Sequence, residues 1–282
     1  MNNYTIVDER FSSHPRDFQA YGTERLREEF LINTVFEENK IRLTYTHYDR
    51  FIAGGIVPVN QDLYLEAIDQ LKAESFCDRR EVGVINIGGN GIIIVDGTDY
   101  EINYRDALYI PKDTKSIVFK SKDSSKPAKF YLTSAPAHKE FPLRKISKED
   151  VVILDLGCQE DANERQIFQY IVAATCETCQ LQMGFTALKT GNVWNTMPPH
   201  THTRRMEVYF YTELKESAAI SHYMGDKDNT RVIWMKNNQA VISPSWSIHS
   251  AVGTSNYIFI WGMAGENLDF TDMDGIKPTE LR

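Results

Sequence analysis

The sequence predicts an all-β protein made of two similar barrels with few short helices. Three observations lead there. Short apolar or alternating runs recur at near-regular spacing, separated by turn residues, which is the pattern of antiparallel sandwiches and barrels. Strands alternating with long helical stretches, the mark of a parallel sheet, are absent. One segment also occurs twice: Asp106-Ala107-Leu108-Tyr109-Ile110-Pro111-Lys112-Asp113-Thr114 resembles Asn238-Gln239-Ala240-Val241-Ile242-Ser243-Pro244-Ser245-Trp246, each an apolar strand ending in a proline turn. Such an echo points to an internal duplication.

In chain order, a helix is expected over Thr23–Leu31 from a Thr23 cap, and a weakly amphipathic one over Asp62–Leu71. Strands follow at Val82–Ile87, Gly91–Val95, Ala107–Ile110, Ser116–Phe119 and Lys129–Leu132, with hairpin-type turns at Gly88-Gly89-Asn90-Gly91 and Asp96-Gly97-Thr98. A linker is expected near 137–150. The second half repeats the style at Gln169–Val172, Gln180–Phe185, Glu207–Tyr211, Arg231–Met235, Gln239–Ile242 and Tyr257–Trp261. The expected division is 1–145, a first barrel with a helical N-terminal segment and no metal, and 146–282, a metal-binding second barrel. The metal is assigned to the second because His249 follows Pro244 by five residues, whereas Thr114-Lys115-Ser116 occupies that place in the first copy.

The 282 residues suffice for a sizeable core, and 42% hydrophobic with 25% charged residues is ordinary for a globular protein. A net charge of −8 argues against nucleic acid, whose phosphates demand a positive surface, but not against a small anionic substrate. No run approaches the roughly 20 apolar residues that span a bilayer. Met1–Arg10 carries no basic stretch followed by an apolar one, so no leader is read there and a cytoplasmic location is expected. Of the four cysteines, Cys176 and Cys179 form a lone C-x2-C with no second pair at metal-site spacing, and are read as ordinary thiols.

The chemistry-bearing residues are His200, His202, Glu207 and His249. Two histidines at i and i+2 of a strand share a face. A carboxylate shortly after, and a further histidine on a later strand, can complete a ligand set suited to Zn, Fe, Mn or Ni. Tyr209 and Tyr211 alternate with Glu207 on its strand face and are candidates for an acid or a hydrogen-bond donor. Arg204 and Arg205 flank the ligands on opposite strand faces.

H-x-H followed by x4-E, then P-x4-H, resembles the two motifs of the cupin superfamily, whose scaffold is a double-stranded β-helix of jelly-roll type. The chain departs from the pattern where Trp194, Leu214 and Trp246 stand in place of glycines. A longer resemblance covers almost the whole chain. Gly191–Pro198, Arg204–Tyr211, Ala240–His249, Ala264–Asn267, Thr44–Arg50, Gly54–Val59 and Lys129–His138 are similar to the 4-deoxy-L-threo-5-hexosulose-uronate ketol-isomerases of pectin breakdown.

That resemblance implies a two-cupin subunit, a homohexamer, and one Zn2+ per subunit on His200, His202, Glu207 and His249. It also implies conversion of 5-dehydro-4-deoxy-D-glucuronate, a small anionic sugar, to 3-deoxy-D-glycero-2,5-hexodiulosonate. Such a reaction needs a Lewis acid at the carbonyl, a base between adjacent carbons and a cation for the carboxylate. Glu207, Arg205, Tyr209 and Tyr211 are the expected catalytic residues. The competing readings are a metal-dependent cupin dioxygenase and a non-catalytic sugar-binding cupin.

Overall fold

The computed structural model describes residues 3–282; Met1 and Asn2, the start of the segment read as carrying no leader, lie outside the described residues. The chain divides into two compact units. One contains the segment ending at Arg10 with 34–152 and 170–183; the other contains 11–33, 153–169 and 184–282. The helical segment expected in the first barrel therefore counts with the second. The physical reason is strand pairing: Leu31–Ile32, which follows the helix, adds to the edge strand Gln239–Ser243 of the second unit.

In the first unit a seven-stranded sheet runs in the order Thr5–Arg10, Ile41–Thr46, Ile52–Ile56, Phe130–Pro136, Arg80–Asn86, Ala107–Ile110, Arg144–Ile146. Its companion sheet has the order Leu63–Tyr64, Ile117–Ser121, Gly91–Val95, Thr98–Ile102. Pairing is antiparallel apart from Thr5–Arg10 beside Ile41–Thr46 and the isolated bridge Glu38–Val57. Alternating apolar residues of both sheets, among them Val82, Leu132, Phe119 and Ile93, meet in one wholly buried core. This burial is the main driving force for closing the barrel.

The second unit repeats the plan. One sheet runs Val152–Leu156, Arg165–Ile171, Gln182–Leu188, Ile258–Gly265, Arg205–Thr212, Gln239–Ser243, Leu31–Ile32. The other runs Asn229–Met235, Ile220–Asp226, Ile248–Gly253, Trp194–Thr201, Asp274–Gly275. The echoed strands Ala107–Ile110 and Gln239–Ser243 each lie next to last in their seven-stranded sheets, so the duplication seen in the sequence is a duplication of fold.

Helices are few. Thr23–Phe30 is helical, with Gly22 rather than Thr23 at the cap position, and Pro15–Phe18 adds one turn. The helix expected over Asp62–Leu71 is instead the strand Leu63–Tyr64 and a 3-10 turn at Asp69–Leu71. There Leu63 and Leu65 are drawn into the core, and pairing with Ile117–Ser121 overrides a weak helical pattern.

Cross-strand register aligns the two barrels residue by residue. Val82 faces Ile110, before Pro111, as Glu207 faces Ser243, before Pro244. Phe119 faces Leu63 as His249 faces His200. Leu63, Leu65, Val82 and Phe119 thus occupy, in the first barrel, the places of His200, His202, Glu207 and His249, and all four are buried in its apolar core. By the same register Arg80 corresponds to Arg205.

Candidate metal centre and substrate cavity

The strands of the second barrel deliver the four ligand-type residues to one point. The strand Trp194–Thr201 pairs with Ile248–Gly253 in a register that shifts between Asn195 and His200. The residues that loop out include Pro198 and Pro199, which have no N–H to give to a ladder. The shift brings His200 directly opposite His249. Glu207 enters from Arg205–Thr212 in the facing sheet.

The Nε2 atoms of His200 and His202 are 3.0 Å apart, as are those of His200 and His249. Glu207 Oε2 lies 3.0 Å from His249 Nε2 and 3.4 Å from His202 Nε2. All four donor atoms fall within 4.8 Å of one another. Bonds of ~2.0–2.2 Å to a shared cation put neighbouring ligand atoms roughly 3.0–3.5 Å apart, so these residues fit a metal ion.

The outer nitrogens are fixed as a ligand set requires. His202 Nδ1 donates to the Asp272 carbonyl at 2.7 Å, leaving Nε2 as the acceptor. Ser243 Oγ stands 3.3 Å from His249 Nδ1. Electrostatics favour the ligating forms of His200 and Glu207. Burial, then the neighbouring His249 and His202, push His200 down to about 2, so the imidazole is neutral. Burial alone would raise the Glu207 carboxyl, but His249 and His202 outweigh it and hold it well below the usual carboxylate range.

The centre lies in the wall of a half-open cavity of about 410 Å³, a size suited to a small ligand. Its polar side carries His200, His202, Glu207, Tyr209, Thr196 and Arg165; its apolar side is formed by Phe259, Trp261, Met197, Phe270 and Met273 among others. Trp261 fits close because residue 184 is glycine: a Cβ there would come within 2.3 Å of the indole and of the Phe168 carbonyl. Among the described residues, Glu207 is the only carboxylate lining the cavity.

Two expected roles are corrected. Tyr211 shares a strand face with Glu207 and Tyr209 but sits deeper, wholly buried and outside the cavity lining. Its hydroxyl meets His222 Nδ1 at 2.8 Å. Arg205 lines the cavity, yet its guanidinium is spent on backbone: Nη1 donates to the Asp269 carbonyl at 2.8 Å, and Nη2 to those of Phe270 and Asp272 at 3.2 and 3.3 Å. It braces the segment that holds His202 and is not a free carboxylate fork. Tyr209 keeps its expected place, its hydroxyl 2.9 Å from Thr196 Oγ1. Burial, then Glu207, raises it well above a phenol's ordinary value, so it stays protonated.

Trp194 stacks on Tyr223, and Trp246 packs edge-on against Phe18 and Phe30; neither lines the cavity. Arg165 went unnoticed in the sequence. Its side chain lines the cavity with one hydrogen bond, Nη1 to the Asn163 carbonyl at 2.8 Å. No helix is long and apolar enough to cross a membrane.

Comparison with known proteins agrees with this geometry. The 4-deoxy-L-threo-5-hexosulose-uronate ketol-isomerase of Formosa agariphila is 55% identical over 278 residues, 99% of both chains. That of Lachnoclostridium phytofermentans is also 55% identical, over 97% of this chain and 99% of its own. Among solved structures, an IolB-like protein of Salmonella typhimurium superposes with a TM-score of 0.72 at 15% identity, over 88% of this chain and 96% of its own. The oxalate decarboxylase of Lactobacillus farciminis does so at 0.55 and 10%, over 82% and 80%. At such identities these two speak for the cupin fold alone. The sequence model of the KduI/IolB family matches residues 30–276. With that match, and with relatives of this identity aligned along nearly their whole length, the chain belongs to the KduI/IolB family.

Proposed function

We infer that the chain is a uronate ketol-isomerase, converting 5-dehydro-4-deoxy-D-glucuronate to 3-deoxy-D-glycero-2,5-hexodiulosonate in uronate catabolism. The observation that carries the reading is the convergence of three imidazoles and one carboxylate, 3.0–3.4 Å apart, on a cavity that also holds a protonated tyrosine and an arginine. Relatives of about half identity named for this activity favour it over the dioxygenase and non-catalytic readings.

His200, His202, Glu207 and His249 would hold one Zn2+, which when bound supplies a Lewis acid for the sugar carbonyl without changing oxidation state. The residues supply the rest. Arg165 binds the substrate carboxylate. Tyr209, held by Thr196, donates its proton to the aldehyde oxygen where negative charge develops and takes one back from the neighbouring hydroxyl as that carbon becomes the ketone. Glu207 accepts the proton that leaves one carbon and returns it to the neighbouring one. Phe259, Trp261 and Met273 exclude water from the carbanionic stage. The first barrel, with apolar residues in all four corresponding places, is taken as metal-free, and the working form as a cytoplasmic homohexamer. Conversion of the unsaturated galacturonate in a pectate-lyase digest, followed with and without a chelator, tests the reading.

A further inference from the structure

The first barrel has a cavity of its own, about 230 Å³, lined by Arg50, Arg79, Arg80, Tyr45, Gln70 and Phe76 among others, with no carboxylate in the lining. Arg80 is 5% exposed. Its Nε donates to Ser134 Oγ at 3.0 Å, and its Nη2 to the carbonyls of Arg50 and Ser134 at 2.7 and 2.9 Å. These three bonds fix the guanidinium and leave Nη1 without a protein partner. Nη1 is nevertheless not among the sealed, unpartnered atoms, so its access to solvent runs through the cavity. The Tyr45 hydroxyl is in the same position, on a residue only 7% exposed. Among the described residues the Arg50 guanidinium makes no hydrogen bond or ion pair, and Asp49 and Arg50, both left-handed (φ 47° and 51°), place it in the cavity lining.

A fixed, desolvated guanidinium with an unused donor is costly unless something accepts from it. The contrast with the second barrel is direct. Arg205, at the corresponding register position, spends both Nη groups on backbone carbonyls, whereas Arg80 keeps one in reserve. Glu81, whose charge acts on Arg80, is engaged by three backbone N–H groups and the Tyr109 hydroxyl, and Glu9 by His47 at 2.8 Å and Gln70 at 3.3 Å. Leu71, Phe76 and Pro136 give the cavity apolar walls.

We propose that the first barrel carries a metal-free binding site for a small carboxylate-bearing sugar acid, with Arg80 Nη1 and the Arg50 guanidinium on the carboxylate and the Tyr45 hydroxyl on an adjacent oxygen. Arginine suits a carboxylate because its donors are coplanar and paired. The site does not depend on the metal centre and stands whether or not the isomerase reading does.

Isothermal titration of the full-length, metal-loaded protein with D-galacturonate tests it. The wild-type chain takes up two equivalents, one in each barrel. Arg50→Ala, which removes an exposed guanidinium, and Tyr45→Phe, which keeps the ring in the core and removes only the hydroxyl, weaken one of the two at least fivefold and leave the other and the turnover rate unchanged. D-galactose, which lacks only the carboxylate, binds neither variant nor wild type at the first-barrel site. Equal stoichiometry and affinity in wild type and Arg50→Ala would overturn the proposal. So would uptake of inorganic phosphate, in place of galacturonate, that is lost in Arg50→Ala, since the site would then be a phosphate site.

Discussion

His200 and His249 face each other across two antiparallel strands with their Nε2 atoms 3.0 Å apart. Among the described residues, the partners of these two Nε2 atoms are His202, Glu207 and each other, a group that could hold a metal ion. Replacing His249 with Ala removes one ligand and leaves Glu207 with one fewer imidazole. The expected result is loss of bound metal, read by elemental analysis, and a fall in kcat/KM of at least ~10³. Ser243→Ala, which removes only the support at His249 Nδ1, lowers metal affinity by about 10–100-fold.

Tyr209→Phe removes the only protonated phenol in the cavity. A drop in kcat of roughly 10²–10⁴ with KM little changed is expected for a proton donor. Tyr211→Phe, which loses the hydroxyl's contacts with His222 and Asn195 outside the cavity, changes kcat far less, and steady-state kinetics of the two variants separate them.

Arg165→Ala raises KM for the uronate by about 10–100-fold, the cost of one charge-assisted contact. Arg165→Lys recovers part of it, while Arg205→Lys instead loosens the 269–272 segment and shows as weaker metal retention. The KM-against-kcat split of the three variants checks the assignment.

Glu81 is wholly buried and accepts from the backbone N–H groups of Cys179, Gln180 and Leu181 at 2.8–2.9 Å and from the Tyr109 hydroxyl at 2.8 Å. Glu81→Ala leaves four buried donors unmet and destabilises the first unit by about 3–5 kcal/mol. The denaturation midpoint reads this, and metal content should not move.

His222 is wholly buried and accepts from the Tyr211 hydroxyl, so it is neutral; burial, then His249, pushes it down to about 3 from an imidazole's ordinary 6.5. The unfolded chain takes up its proton first. Stability from this group is therefore complete above pH 6.5 and declines as pH falls towards 3, by at most about 1.4 kcal/mol per pH unit. Replacing His222 with Gln should flatten the acid limb of the stability profile measured by denaturant titration.

The convergence of the four residues was legible because their spacing is local, His200 and His202 sharing a strand face with Glu207 early in the next strand; the Pro244 echo set the counterpart of His249 at 114–116, whereas the register puts it at Phe119. The duplication was legible for the same reason. Arg165 was not, because its strand reaches Arg205–Thr212 only through Gln182–Leu188 and Ile258–Gly265, a pairing that no short-range pattern encodes. Arg205 and Tyr211 were misassigned because alternation gives the face of a strand but not depth along it, nor which backbone carbonyls a guanidinium will meet. The segment 11–33 was misplaced because a two-residue strand, Leu31–Ile32, decides its allegiance.

The most direct test of the central claim is conversion of 5-dehydro-4-deoxy-D-glucuronate by the purified chain, followed by the NMR signals of the aldehyde carbon and the new ketone. The account predicts turnover by zinc-loaded protein, loss on chelation, recovery on adding Zn2+ back, and no turnover by His249→Ala. Zinc-loaded, folded protein that leaves the sugar unchanged, or turnover undiminished by chelation, would contradict it.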